Sequence, residues 1–166
     1  AGGFKTVLTN CNVIDCTGSP VQKNMTIIIT GNRITEITDR TYKGNSDENN
    51  LRTIDLEGAY VLPGFWDNHS HISDIHPDVK NTLAYEPVLP AVIRAGRMAM
   101  DALQRGITTL KMVAERDYLD VAWGKAFDAG VFVGPRIIPS GPSISSTHGD
   151  ASAPPYPGGV QVNGPD

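Results

Sequence analysis

Val61-Leu62-Pro63-Gly64-Phe65-Trp66-Asp67-Asn68-His69-Ser70-His71 is the stretch on which the reading of this chain turns. An apolar pair runs into a Pro-Gly turn, and the apolar Phe65-Trp66 then opens a buried-type strand. Positions i and i+2 of a strand share a face, so His69 and His71 are expected to point the same way. Two neutral imidazoles so placed suit one divalent ion, zinc above all. An HxH pair by itself arises by chance, and the competing reading is two solvated surface histidines. The position at the end of a strand, directly after a turn, gives the metal reading its weight.

Working outward, the downstream sequence alternates between two periodicities. Val92, Ala95, Met98, Ala99 and Leu103 recur at three- and four-residue spacing, which predicts a helix over 91–105 stopped by Gly106. Residues 107–113 read as a strand, 118–129 as a helix ended by Gly130, and 135–140 as a third strand. Such alternation argues for parallel strands joined by crossover helices. Beyond Gly141, Pro, Gly and Ser accumulate, and residues 143–159 read as a long loop of the kind that covers or binds. Upstream, β-branched and alternating runs at 4–8, 12–15, 25–29, 34–37, 51–56 and 59–62 predict short strands. The polar stretch 43–50 reads as a loop, and the strands around it are expected to form a small β-sandwich.

Three longer strings carry a resemblance. Val61 to His71 is similar to the "VLPG(L/F)xDxHxH" entry into the first barrel strand of the amidohydrolase superfamily. Arg105-Gly106-Ile107-Thr108-Thr109-Leu110-Lys111 resembles its "GxTTxR" second strand. Gly134-Pro135-Arg136-Ile137-Ile138-Pro139-Ser140-Gly141, followed by Thr147-His148-Gly149-Asp150, resembles "GPRxxxSG…GHGD". That pattern belongs to a branch holding imidazolonepropionase-related enzymes, prolidase-like metal-dependent dipeptidases and ochratoxin-hydrolysing amidases. Relatives carry Gly before the histidine where this chain has Thr147.

The resemblance implies a (β/α)8 TIM barrel with an N-terminal β-sandwich domain. Residues 1–62 would be the sandwich part and 63–166 the first three β/α units of an incomplete barrel. A whole barrel takes roughly 250 residues, against 166 here, so the chain is expected to be an N-terminal segment whose main partner is the rest of the same polypeptide. A homo-oligomer is expected as well. The activity implied is hydrolysis of an amide by metal-activated water, with one or two Zn²⁺ ions bridged by a carboxylated lysine outside this chain. The substrate class is a small-molecule amide, dipeptide-like, N-acyl amino-acid or ochratoxin-like. The alternatives are a cyclic-amide hydrolase and a non-catalytic scaffold that has lost its ligands.

His69 and His71 are the metal ligands on this reading. His148 and Lys111 are the substrate-binding candidates, His148 because it follows strand three beside Gly149, Lys111 because it closes strand two. The plainer readings are a surface loop histidine and a polar strand residue. Asp67 is expected to serve structure, and His76 reads as a solvated loop residue. No residue of this chain is assigned as the general acid or base.

Acids and bases are interspersed at a net charge of −4, so no basic cluster points to nucleic acid. No apolar run approaches the length of a membrane span. Cys11 and Cys16 are expected to be small core residues, since C-x4-C is no recognised metal spacing. Secreted and cytoplasmic locations both remain open.

Overall fold

The computed structural model describes residues 4–42, 50–73, 86–146 and 160–162. The chain divides into two compact units, residues 1–63 and 64–166.

The first unit is a single five-stranded sheet. Its strands are β1 (Lys5–Val13), β2 (Gln22–Thr30), β3 (Arg33–Thr38), β4 (Leu51–Asp55) and β5 (Tyr60–Val61), ordered β3-β2-β1-β4 with β5 also on β1. The β1, β2 and β3 pairings are antiparallel, whereas β4 and β5 run parallel to β1. The sandwich expected here is thus one mixed sheet among the described residues. The two strands expected at 4–8 and 12–15 are also one. Between Leu8↔Ile27 and Cys11↔Met25, β1 advances by one residue more than β2, and Asn10 sits at φ +53°. This bulge inverts the alternation, so Leu8 shares a core with Cys11, Val13 and Ile27 despite its odd spacing from them. The break in the hydrophobic pattern looks like a strand end in the sequence. Cys11 is buried as expected, but Cys16 is exposed because it lies on the β1–β2 connection. The β2–β3 hairpin turns on Gly31-Asn32, with Gly31 at φ +61° in the first turn position.

The second unit begins with a βαβαβ run. It comprises β6 (Phe65–Ser70), α1 (Val88–Gln104), β7 (Ile107–Met112), a 3-10 turn (Arg116–Tyr118), α2 (Leu119–Asp128) and β8 (Arg136–Ile138). The three strands form a parallel sheet in the order β6-β7-β8. Pro90 falls in the first turn of α1, where no intrahelical N–H is required. Gly106, at φ +88°, closes the helix as the sequence predicts, its N–H reaching the Leu103 carbonyl at 2.9 Å. The core joins Ala91, Ala95 and Ala99 of α1 to Leu110 and Met112 of β7, Leu119 of α2 and Ile137 of β8. Two short strands, β9 (Ile144–Ser146) and β10 (Val160–Val162), pair in parallel, so the loop expected over 143–159 is strand at residues 144–146, and its stretch 147–159 lies outside the described residues. Among the described residues no helix is long and apolar enough to cross a membrane.

Alanine and glycine on α1 let α2 approach closely. A β-carbon on Gly96 would come within 1.9 Å of a ring carbon of Trp123, whose Nε1 donates to the Val92 carbonyl at 2.9 Å. Gly96→Ala must therefore displace Trp123 and disturb that bond. Overpacking and the weakened bond outweigh the roughly 1 kcal/mol of helix propensity that alanine adds. The expected net loss is about 1–3 kcal/mol, read as a lower urea midpoint with an unchanged slope.

Candidate functional site

In a β/α architecture the side chains that meet substrate gather at the carboxyl ends of the strands. Here those ends are Ser70-His71 after β6, Val113 to Glu115 after β7, and the residues from Pro139 to Gly141 after β8.

His69 lies within β6 and is exposed, while His71 lies one residue past its end and is half-buried. Their ring centroids are 5.2 Å apart, with the planes tilted by 58°. Zn–N bonds of ~2.0–2.1 Å at a tetrahedral angle would put two imidazole centroids roughly 5 Å apart. The pair therefore fits a shared ion as half of a ligand set. Two imidazoles do not complete such a set. Among the described residues no group of three or more His, Cys, Asp or Glu side chains is placed to hold a metal.

Asp67 supports the pair from below. Its Oδ1 accepts the backbone N–H of His69 at 3.1 Å. The carboxyl is held below its ordinary range, first by the nearby Ser70 hydroxyl, then by that N–H, with the two imidazoles adding smaller attractions. The Ser70 hydroxyl is buried and makes no well-aligned hydrogen bond, so its influence on Asp67 is one of proximity.

Lys111 lies in β7, and alternation puts it on the face opposite Leu110 and Met112, which enter the helix-side core. Its Nζ donates to the Met112 carbonyl at 3.0 Å. His148 and Asp150 lie outside the described residues, as does His76.

Two buried carboxylates at this rim were not singled out from the sequence. Glu115 and Asp120 are both fully enclosed. Glu115 Oε1 accepts the N–H groups of Ile72 at 2.5 Å and Ser73 at 3.4 Å, while Oε2 accepts the Ser73 hydroxyl. Asp120 Oδ2 accepts the N–H groups of Ser140 at 2.7 Å and Gly141 at 2.9 Å. The Ser140 hydroxyl accepts from the Ala114 N–H, and the Gly141 carbonyl from the Glu115 N–H, both at 2.9 Å. These bonds join the exits of all three parallel strands. The segment between β7 and α2 holds Ala114, Asp117 and Tyr118 at φ +58°, +52° and +56°. Non-glycine residues reach that region only at a cost, and such strain concentrates at functional rims. The sequence signal was thin: Glu115 is an acid in the segment after a strand, beside Arg116 and Asp117, and Asp120 is an acid in the first turn of a helix.

No family model matches the chain. Over 98 residues it is 36% identical to ochratoxinase of Aspergillus niger, an overlap covering 56% of this chain and 20% of that protein. A prolidase solved with N-methylphosphonate-L-proline superposes with a TM-score of 0.81 at 28% identity, over 96% of this chain and 41% of the other. A Xaa-Pro dipeptidase with methionine in its active site gives a TM-score of 0.79 at 28% identity, over 89% of this chain and 36% of the other. The chain spans about a fifth of the length of the curated relative and about two fifths of these solved chains.

Proposed function

From the similarity of this chain to prolidases and ochratoxinase, we propose that it belongs to the amidohydrolase superfamily and supplies the first metal-binding strand of a metal-dependent amide hydrolase. The observation that carries the proposal is the pair His69 and His71, 5.2 Å apart at the carboxyl end of a parallel strand. The kinship with proteins named as prolidase, Xaa-Pro dipeptidase and ochratoxinase supports an amide substrate of dipeptide or N-acyl amino-acid type. On this reading β6, β7 and β8 are the opening strands of a (β/α)8 barrel, and the remaining ligands come from later in the polypeptide.

His69 and His71 would hold a divalent ion, taken to be zinc, which supplies Lewis acidity to the scissile carbonyl and activates water. The chain's own residues do the rest at this rim. Asp67 fixes the backbone of His69. Lys111 offers an ammonium group on the sheet face opposite the core, where a substrate carboxylate can meet it. His148, after β8, is assigned to substrate.

The test is hydrolysis of a panel of dipeptides and N-acyl amino acids by the complete protein, before and after a chelator and after Zn²⁺ is returned. Activity lost to the chelator and restored by zinc is the expected result; amide hydrolysis indifferent to the chelator would refute metal dependence. In the same panel His148→Ala should lower kcat/KM at least tenfold, about 1.4 kcal/mol, with metal content unchanged. An unchanged kcat/KM across the panel would make His148 a surface residue.

A further inference from the structure

Glu115 stands in the run Glu115-Arg116-Asp117, which reads as a solvated loop, yet none of its surface is exposed. Enclosing a carboxylate is costly unless its oxygens meet donors. Here the donors are the residues that leave the histidine pair: the N–H groups of Ile72 and Ser73 and the Ser73 hydroxyl. Ser73 is gripped from its other side as well. Its carbonyl accepts from Arg94 Nη2 at 2.5 Å, and Arg94 of α1 is in turn paired with Glu86 at 2.5 Å. Before His71, the Ser70 carbonyl accepts the Val113 N–H at 3.1 Å. His71 is therefore bracketed by fixed points on both sides, and β6 has only β7 as a strand neighbour among the described residues. Without the Glu115 bonds, the chain past Ser70 would lose the anchors nearest to His71.

We propose that Glu115 is a positioning residue for the histidine pair. It clamps Ile72 and Ser73 so that the His71 imidazole stays beside that of His69, ready to share an ion. The inference rests on the reading of His69 and His71 as metal ligands. It adds a residue from the exit of β7 that touches neither ring and acts through the backbone. Outer partners that orient ligands commonly contribute roughly 10–100-fold in metal affinity.

The experiment measures the Zn²⁺ Kd of the complete protein by competition with a chromophoric chelator, and the visible spectrum of its Co²⁺-loaded form. Glu115→Ala should raise Kd about 10–100-fold and broaden the Co²⁺ bands. Glu115→Gln keeps an acceptor for the two N–H groups and should recover much of that loss. Ser73→Ala, which removes one of the three donors, should raise Kd by about 3–10-fold. A purely structural Glu115 would lower the melting temperature while Kd and the Co²⁺ spectrum stay as in the wild type, and that result overturns the proposal. If Glu115→Ala does not fold, Ser73→Ala decides, and a wild-type Kd in that variant overturns it. His71→Ala separates the two readings. Zinc bound as in the wild type by that variant would remove the metal reading itself; zinc lost there but retained at full affinity in the Glu115 variants would remove only the positioning role.

Discussion

His69→Ala and His71→Ala should each strip the complete protein of tightly bound metal and lower kcat/KM for amide hydrolysis by at least about a thousandfold, or roughly 4 kcal/mol of transition-state stabilisation. The large effect follows from what the pair would hold. A zinc site needs three or four protein ligands, and loss of one leaves too few to retain the ion at low concentration. Stability should respond differently. His69 is exposed and His71 half-buried, and neither belongs to the apolar core around Leu110 and Met112. Alanine in place of the exposed His69 should therefore change the melting temperature of the metal-free protein little, since substitutions outside core and network positions stay within about 0.5 kcal/mol. The checks are metal content by elemental analysis and kcat/KM on a dipeptide or N-acyl amino acid. Wild-type metal content in both variants would sink the assignment.

The parts legible in the sequence are those written in local periodicity. Apolar spacing on α1, with Gly106 behind it, announced a helix, and the β-branched runs announced strands, because each pattern reflects a face that must be buried. The HxH pair was legible because both side chains belong to one strand end and need no third element to meet. What stayed hidden depends on partners distant in sequence. The bulge at Asn10 exists only against β2, and its shift of phase made one strand look like two. The pairing of β9 with β10 joins Ile144 to Val160 across a stretch that is polar and rich in Pro and Gly. Glu115 looks solvated until the chain after β6 packs over it, 43 residues away along the sequence. Charge predicts exposure on average, so a buried carboxylate is the case where composition misleads. Its donors are backbone N–H groups, which leave no trace in the sequence.

Asp120→Ala should cost about 3–5 kcal/mol of folding stability. Asp120 is the second residue of α2 and is completely enclosed. Its two oxygens accept three backbone N–H groups, from Val121 at 2.8 Å, Ser140 at 2.7 Å and Gly141 at 2.9 Å. Alanine leaves the last two without acceptors in a buried setting, and each orphaned donor costs about 1–3 kcal/mol. Gly141 cannot easily turn away, since its φ of +70° and its carbonyl bond to the Glu115 N–H fix it from both sides. The Val121 N–H lies in the first turn of the helix, where water can replace the lost partner. Asp120→Asn keeps the shape and one carbonyl acceptor, so its cost should fall to about 1–2 kcal/mol. Urea denaturation of the complete protein reads both values. The metal site should respond less than stability does, because Asp120 grips the exit of β8 whereas Glu115 grips the chain leaving His71. Zinc affinity of folded Asp120→Asn within about threefold of the wild type, beside a larger change in Glu115→Ala, would mark off the clamp that holds the fold from the clamp that orients the ligand. A loss under about 1 kcal/mol for Asp120→Ala would mean that water enters and takes over the Ser140 and Gly141 N–H groups. In that event the rim is wetter than its enclosure in the folded chain implies.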